Sequence, residues 1–241
     1  GGQYNAVLIV CAESISRHLD FSDFRTSIIF ADGAAATVIQ PTENGGIKSP
    51  FYLKSRYSKE NIVKRDSGSY CHGVFEQNNE VFTKKYFLEM QGGRHVMKAA
   101  VRTMTEAAFA ALIYDKFGKQ YLKDHPTLLQ GLIMNPQSVM EKMPDQAVSM
   151  EDMLSEVDYF LPHQANLRIT EGLAKRVHDP EMKRTISIID HTGNISGTTM
   201  PLALGRAVAG DLPQYQIKKG DRILLTAVGG GYTIGGVVLE F

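Results

Sequence analysis

Residues 157–168 read VDYFLPHQANLR. A short apolar run stops at Pro162-His163, and a polar segment opens a new apolar stripe. The pattern predicts a buried strand over 157–161 and a helix over 165–178 with Ile169, Leu173 and Val177 on one side. Open α/β sheets gather functional side chains at such strand ends, where the next helix begins. Two readings of His163 stand at this point: a functional imidazole, or a ring that caps a helix or makes one structural hydrogen bond.

Working towards the C-terminus, Ile186, Ile188 and Ile189 predict a further strand. Thr198 or Thr199 is placed to cap a helix with Pro201 in its first turn and Gly210 after its end. Residues 222–228 and 232–241 are two apolar runs around Gly229-Gly230-Gly231, a strand pair about a tight turn. Asn194 lies in HTGN, also between a strand and a helix; read alone, Gly193-Asn194 is as well suited to a turn. The triple glycine alone reads more readily as a hairpin turn than as an anion hole.

Working towards the N-terminus, 6–12 (AVLIVCA) is a continuous apolar run suited to a strand buried on both faces. Residues 27–40 (SIIFADGAAATVIQ) read as another strand, broken at Asp32-Gly33. A turn at 42–46 and a return to strand near Ile47 follow, then an irregular polar stretch over 49–86. Met97, Val101, Met104, Ala108 and Leu112 recur at steps of three and four, which predicts a helix. Residues 113–155 have helical content interrupted by Pro126, Pro136 and Pro144, and are read as an excursion of short helices, a lid or a dimer arm. Strands alternating with helices make this an α/β protein.

Composition narrows the function. The 241 residues are ample for a sizeable core, and 26 Lys plus Arg balance 26 Asp plus Glu. That balance argues against a dedicated nucleic-acid binder, though not against a local basic patch for an acidic partner. Apolar runs are strand-sized and too short to span a bilayer, and no charged segment followed by an apolar run opens the chain. Two cysteines, Cys11 and Cys71, are too few for a disulfide framework and fit a reducing, cytoplasmic setting. Neither a metal nor another cofactor is expected.

Taken together, VDYFLPHQANLR, HTGNISGTT (191–199) and LTAVGGGYTIGG (225–236) resemble the histidine, asparagine and glycine-rich motifs of the beta-ketoacyl-acyl-carrier-protein synthase III family. FADGAAATVI and GRHVMK (93–98) resemble two further motifs, and all five occur in the family's order. The resemblance implies a thiolase-like fold, with the complete C-terminal half over 41–241 and the last two strands of the N-terminal half over 1–40. A stretch at about 112–155 is longer than the family needs there, and Gly92 looks like an insertion.

The resemblance also implies roles. A cysteine takes an acyl group from acyl-CoA; malonyl-acyl carrier protein then loses carbon dioxide, and its enolate attacks the acyl-enzyme, initiating fatty acid synthesis. His163 and Asn194 would converge as donors on the thioester oxygen during decarboxylation, and the backbone N–H of Gly230 would serve the other oxyanion. Asn166, Gly93 and Arg94 match positions that line the coenzyme A and pantetheine channel. Lys98, Arg168, Lys175 and Arg176 match the carrier-docking surface; without the motifs they would read as a solvated basic face. A homodimer is implied as well.

The family's cysteine motif matches neither Cys11, inside an apolar strand, nor Cys71, in a polar loop. The nucleophile is therefore expected upstream of residue 1 or on a second chain, against which residues 1–40 pack, and the chain alone is expected to be inactive. Two alternatives remain at this level: an enzyme or subunit of a specialised-metabolite pathway, and a non-catalytic subunit that stabilises a ketosynthase partner.

Overall fold

The computed structural model describes residues 4–43, 45–57, 63–64, 87–90 and 93–241. Cys71, Gly92 and most of the expected polar stretch over 49–86 lie outside them.

The first structured unit is a ribbon. Strand β1 (Val7–Glu13) pairs antiparallel with β2 (Gly33–Ile39), Val7 opposite Ile39 and Glu13 opposite Gly33. A 3-10 turn (Ile15–His18) and the short helix α1 (Phe24–Ser27) join them. The strand expected over 27–40 begins only at Gly33; Asp32 instead accepts the backbone and hydroxyl hydrogens of Ser16, closing the connection back on itself. Apolar residues on both faces of β1 are open to solvent, Leu8 at 64% and Ile9 at 44%. A two-stranded ribbon exposed in this way is marginal on its own. It is anchored where Gly33 packs on Ile195 and where the Gly197 N–H donates to Glu13.

Among the described residues the main sheet has five strands. β3 (Gly46–Ile47) and β4 (Tyr52–Ser55) pair with successive parts of the last strand, while β5 (Val63–Lys64) and β6 (Glu89–Met90) form a separate small pair. Helix α2 (Gly93–Phe117) follows, and from Thr103 to Ile113 every residue is buried. A helix apolar on all sides belongs inside the protein, and this one lies across the sheet. The short helices α3 (Lys119–Asp124), α4 (Leu128–Met134) and α5 (Met150–Ser155) come next, with a 3-10 turn (Pro136–Met140) between the last two.

Strand β7 (Tyr159–Pro162) leads into α6 (Leu167–Arg176). A coil and the single turn α7 (Ile189–Thr192) precede a 3-10 turn (Ser196–Thr198) and α8 (Thr199–Val208). β8 (Arg222–Gly229) runs parallel to β7 and antiparallel to β9 (Thr233–Glu240), giving the order β3-β9-β8-β7. Alternation along β8 sends Leu224 to the α2 side and Ile223 to the α8 side. The result is a mixed sheet with helices on both faces.

Three further expectations are corrected. Residues 186–189 do not form a strand: the Gln164 side chain donates to Ile186 O at 3.1 Å and accepts from Ile188 N at 2.8 Å, taking the groups a ladder would use. Thr198 precedes α8 without capping it, its hydroxyl facing Gly33 O instead. The helices over 113–155 do not form a lid, because Leu132, Val139, Met143, Met150 and Leu154 are buried in the core with α2 and α6. None of those segments lines the groove described below.

Candidate active site

β7 and β8 run parallel, so their carboxyl ends open side by side, and His163 follows β7 with its backbone N–H donating to Thr226 O at 2.7 Å. That bond extends the ladder by one residue and fixes where the ring starts. The ring itself is half-buried; its Nδ1 lies 2.8 Å from Thr199 Oγ1 at the start of α8. Nε2 has no partner among the described residues and opens on the groove. Burial disfavours the imidazolium and pushes the ring's pKa down to about 4, so the neutral form prevails near neutral pH.

Asn194 is fixed from behind. Its N–H donates to Ile29 O at 2.9 Å and its C=O accepts from Ala31 N at 3.0 Å, a short parallel bridge to the segment before β2. Gly193, at φ 65°, makes this close approach possible, since a Cβ there would sit 3.3 Å from Ile29 O. The Ser196 N–H donates to Asn194 Oδ1 at 2.9 Å. That donor orients the amide and leaves the Nδ2 hydrogens for the groove.

The third element is the turn between β8 and β9. Gly230 accepts from Thr233 N at 3.1 Å, while its own N–H makes no hydrogen bond among the described residues. β4 supports this turn from outside: Arg56 N donates to Tyr232 O at 2.7 Å, and Ser55 and Thr233 exchange a hydroxyl contact of 3.1 Å. β4 is in turn held to α2, where buried Glu106 Oε1 accepts from Tyr52 OH, Lys54 and Arg56.

His163, Asn194 and Gly230 line one open groove of about 1880 Å³. Gly93, Arg94, Asn166 and Arg168 line it too. Asn166 has a second task, capping α6 by accepting from Arg168 N at 3.0 Å. Lys98, Lys175 and Arg176 lie outside the groove. Lys98 and Lys175 are exposed, whereas half-buried Arg176 donates to Ile133 O, which ties α6 to α4. Cys11, in β1, is half-exposed and does not line the groove.

Of the two partners that orient these side chains, sequence reading took Thr199 only as a candidate helix cap and passed over Ser196. Only the SGTT run after Asn194, rich in short polar groups, hinted at them. Among the described residues no three His, Cys, Asp or Glu converge as a metal site, and no helix is long and apolar enough to cross a membrane.

Two family models match the chain: 3-oxoacyl-[acyl-carrier-protein] synthase III over residues 1–55, and the C-terminal domain of the same family over 152–241. Over its whole length the chain is 32% identical to beta-ketoacyl-[acyl-carrier-protein] synthase III of Brucella anthropi, covering 60% of that protein. Its fold superposes on the 3-oxoacyl-[acyl-carrier-protein] synthase III of Aquifex aeolicus VF5 with a TM-score of 0.67 at 27% identity, covering all of this chain and 59% of that one. The synthase III from Thermus thermophilus gives a TM-score of 0.68 at 28% identity, covering 100% and 60% of the two chains. The chain thus spans about 60% of the length of the curated relatives it matches, and the mixed α/β architecture is thiolase-like.

Proposed function

The chain belongs to the 3-oxoacyl-[acyl-carrier-protein] synthase III family, and from that premise we propose that it is the larger part of an initiating condensing enzyme. Its substrates would be an acyl-CoA and malonyl-acyl carrier protein, with no cofactor. The observation that carries this reading is the pair of unpartnered side-chain nitrogens, Nε2 of His163 and Nδ2 of Asn194, on two residues that line one groove with Gly230.

Decarboxylation breaks the bond between the malonyl carboxylate and its α-carbon, and the electron pair moves into an enolate whose charge rests on the thioester oxygen. Donors already aimed at that oxygen stabilise it without reorganising. A neutral His163 serves as such a donor, and its low pKa keeps it from competing as an imidazolium. The enolate carbon then attacks the acyl thioester; the new oxyanion lies against the Gly230 N–H and collapses as the thiolate leaves. Arg94 and Asn166 would meet the coenzyme A or pantetheine arm, and Lys98, Arg168 and Lys175 the acidic carrier. Arg176 matches the same surface, with its guanidinium already engaged by Ile133 O.

The acyl acceptor would come from polypeptide outside these 241 residues, on the same gene product or a second chain. The exposed apolar faces of β1 and β2 support that reading, since Val10 at 63% and Val38 at 62% exposure need a covering layer. Residues 1–40 would then belong to one thiolase half and 41–241 to the other, with 112–155 as an added segment. The test is to incubate the complete gene product with acyl-CoA and malonyl-acyl carrier protein. A 3-ketoacyl product supports the reading; acyl transfer without carbon–carbon bond formation contradicts it.

A further inference from the structure

A donor at Nε2 requires the ring hydrogen to sit on Nε2, because a neutral imidazole carries only one. Which nitrogen holds it is decided by what the other nitrogen meets. For His163 that group is the Thr199 hydroxyl, 2.8 Å from Nδ1. Thr199 is fully buried, which shuts out water as a substitute partner.

Thr199 Oγ1 has one hydrogen and two lone pairs, and three neighbours. Gln164 N, at 3.5 Å, is a donor only and can take a lone pair at most. Ser196 O, at 3.0 Å, is an acceptor only. His163 Nδ1 takes whichever role remains. If the hydroxyl donates to Ser196 O, Nδ1 must carry the ring hydrogen, and Nε2 presents a lone pair to the groove. If the hydroxyl donates to Nδ1, Nε2 carries the hydrogen. Ser196 O already accepts the backbone N–H of Thr199, so it does not depend on the hydroxyl. Nδ1, by contrast, has no other partner among the described residues, and its contact with Thr199 is the shorter of the two.

We infer that Thr199 is a positioning residue for His163: its hydroxyl donates to Nδ1 and thereby holds the ring hydrogen on Nε2, facing the groove. The tautomer stands on this geometry alone. Its use in the reaction rests on the donor role proposed above for His163.

The complete gene product, labelled with ¹⁵N-histidine, reports the tautomer through long-range proton–nitrogen correlations. The expected pattern for His163 is a protonated Nε2 and a bare Nδ1. Thr199→Val removes the hydroxyl and is expected to move the hydrogen towards Nδ1, with malonyl-acyl carrier protein decarboxylation slowed about 10²-fold. Thr199→Ser restores the donor and is expected to recover both the pattern and most of the rate. A wild-type ring protonated at Nδ1 overturns the inference without any variant being needed, as does a folded Thr199→Val with tautomer and rate unchanged. If the tautomer responds as expected while the wild type decarboxylates nothing, Thr199 keeps its role and the condensing reading is the one that fails.

Discussion

The Ser196 backbone N–H donates to Asn194 Oδ1 at 2.9 Å, and this one bond decides which end of the Asn194 amide meets the groove. Because the donor is backbone, the orientation survives changes at the Ser196 side chain. It does not survive a change of chemistry at position 194. Asn194→Asp keeps an acceptor for Ser196 but puts a second oxygen where the donor was, facing a developing anion. Malonyl decarboxylation should fall by about 10²- to 10³-fold, with far-ultraviolet circular dichroism unchanged. A loss below tenfold would mean that the amide is not an anion donor.

The depressed pKa of His163 has a consequence for stability. Its folded value of about 4 lies below the ordinary 6.5, so between those values the unfolded chain binds more protons. The contribution is complete above pH 6.5 and is lost as pH falls through 4. A shift of this size corresponds to at most about 3 kcal/mol, and the half-exposed ring will realise less. Urea unfolding between pH 4 and 7.5 should show a shallower acid loss in His163→Gln than in the wild type. Parallel profiles would contradict the burial of the neutral ring.

Glu106 and its cations should respond unequally to mutation. The carboxylate side chain is 3% exposed, whereas Lys54 and Arg56 are 43% and 42% exposed. Glu106→Gln leaves two cations that can turn to water, at a cost of about 1–2 kcal/mol. Replacing Lys54 and Arg56 together by Met strands a buried charge, at about 3–5 kcal/mol. Urea midpoints for the two variants measure the asymmetry, and equal losses would contradict it.

Gly236 makes the tightest contact between β9 and α2. A Cβ there would lie 2.2 Å from Ala107 O, which is backbone of a buried helix and cannot swing aside. Gly236→Ala should cost about 3 kcal/mol or more, because α2 must lift from the sheet. Thermal unfolding gives the check; a shift under 2 °C would be inconsistent with the contact.

Periodicity carried much of the fold. The α2 stripe, the β7–α6 unit and the β8–β9 pair were legible because each buries one uniform face or, for α2, every face. The coil at 186–188 was not, since its β-branched isoleucines suit a strand and only the distant Gln164 side chain removes the ladder. Likewise, the apolar burial of 113–155 depends on α2 and α6, and prolines gave only the breaks. At the site, His163, Asn194 and Gly230 stood out through their motifs. Their orienting partners did not, because a short hydroxyl or a backbone N–H carries no sequence signal of its own.

On the proposed mechanism, His163 serves decarboxylation and not acyl acceptance. This division is tested most directly by following both half-reactions in His163→Ala of the complete gene product, by intact mass after exposure to acyl-CoA and by carbon dioxide release from malonyl-acyl carrier protein. The acyl adduct should still form, away from Cys11, while carbon dioxide release falls at least about 10²-fold. Loss of the adduct with decarboxylation intact, or an adduct on Cys11, would contradict that mechanism.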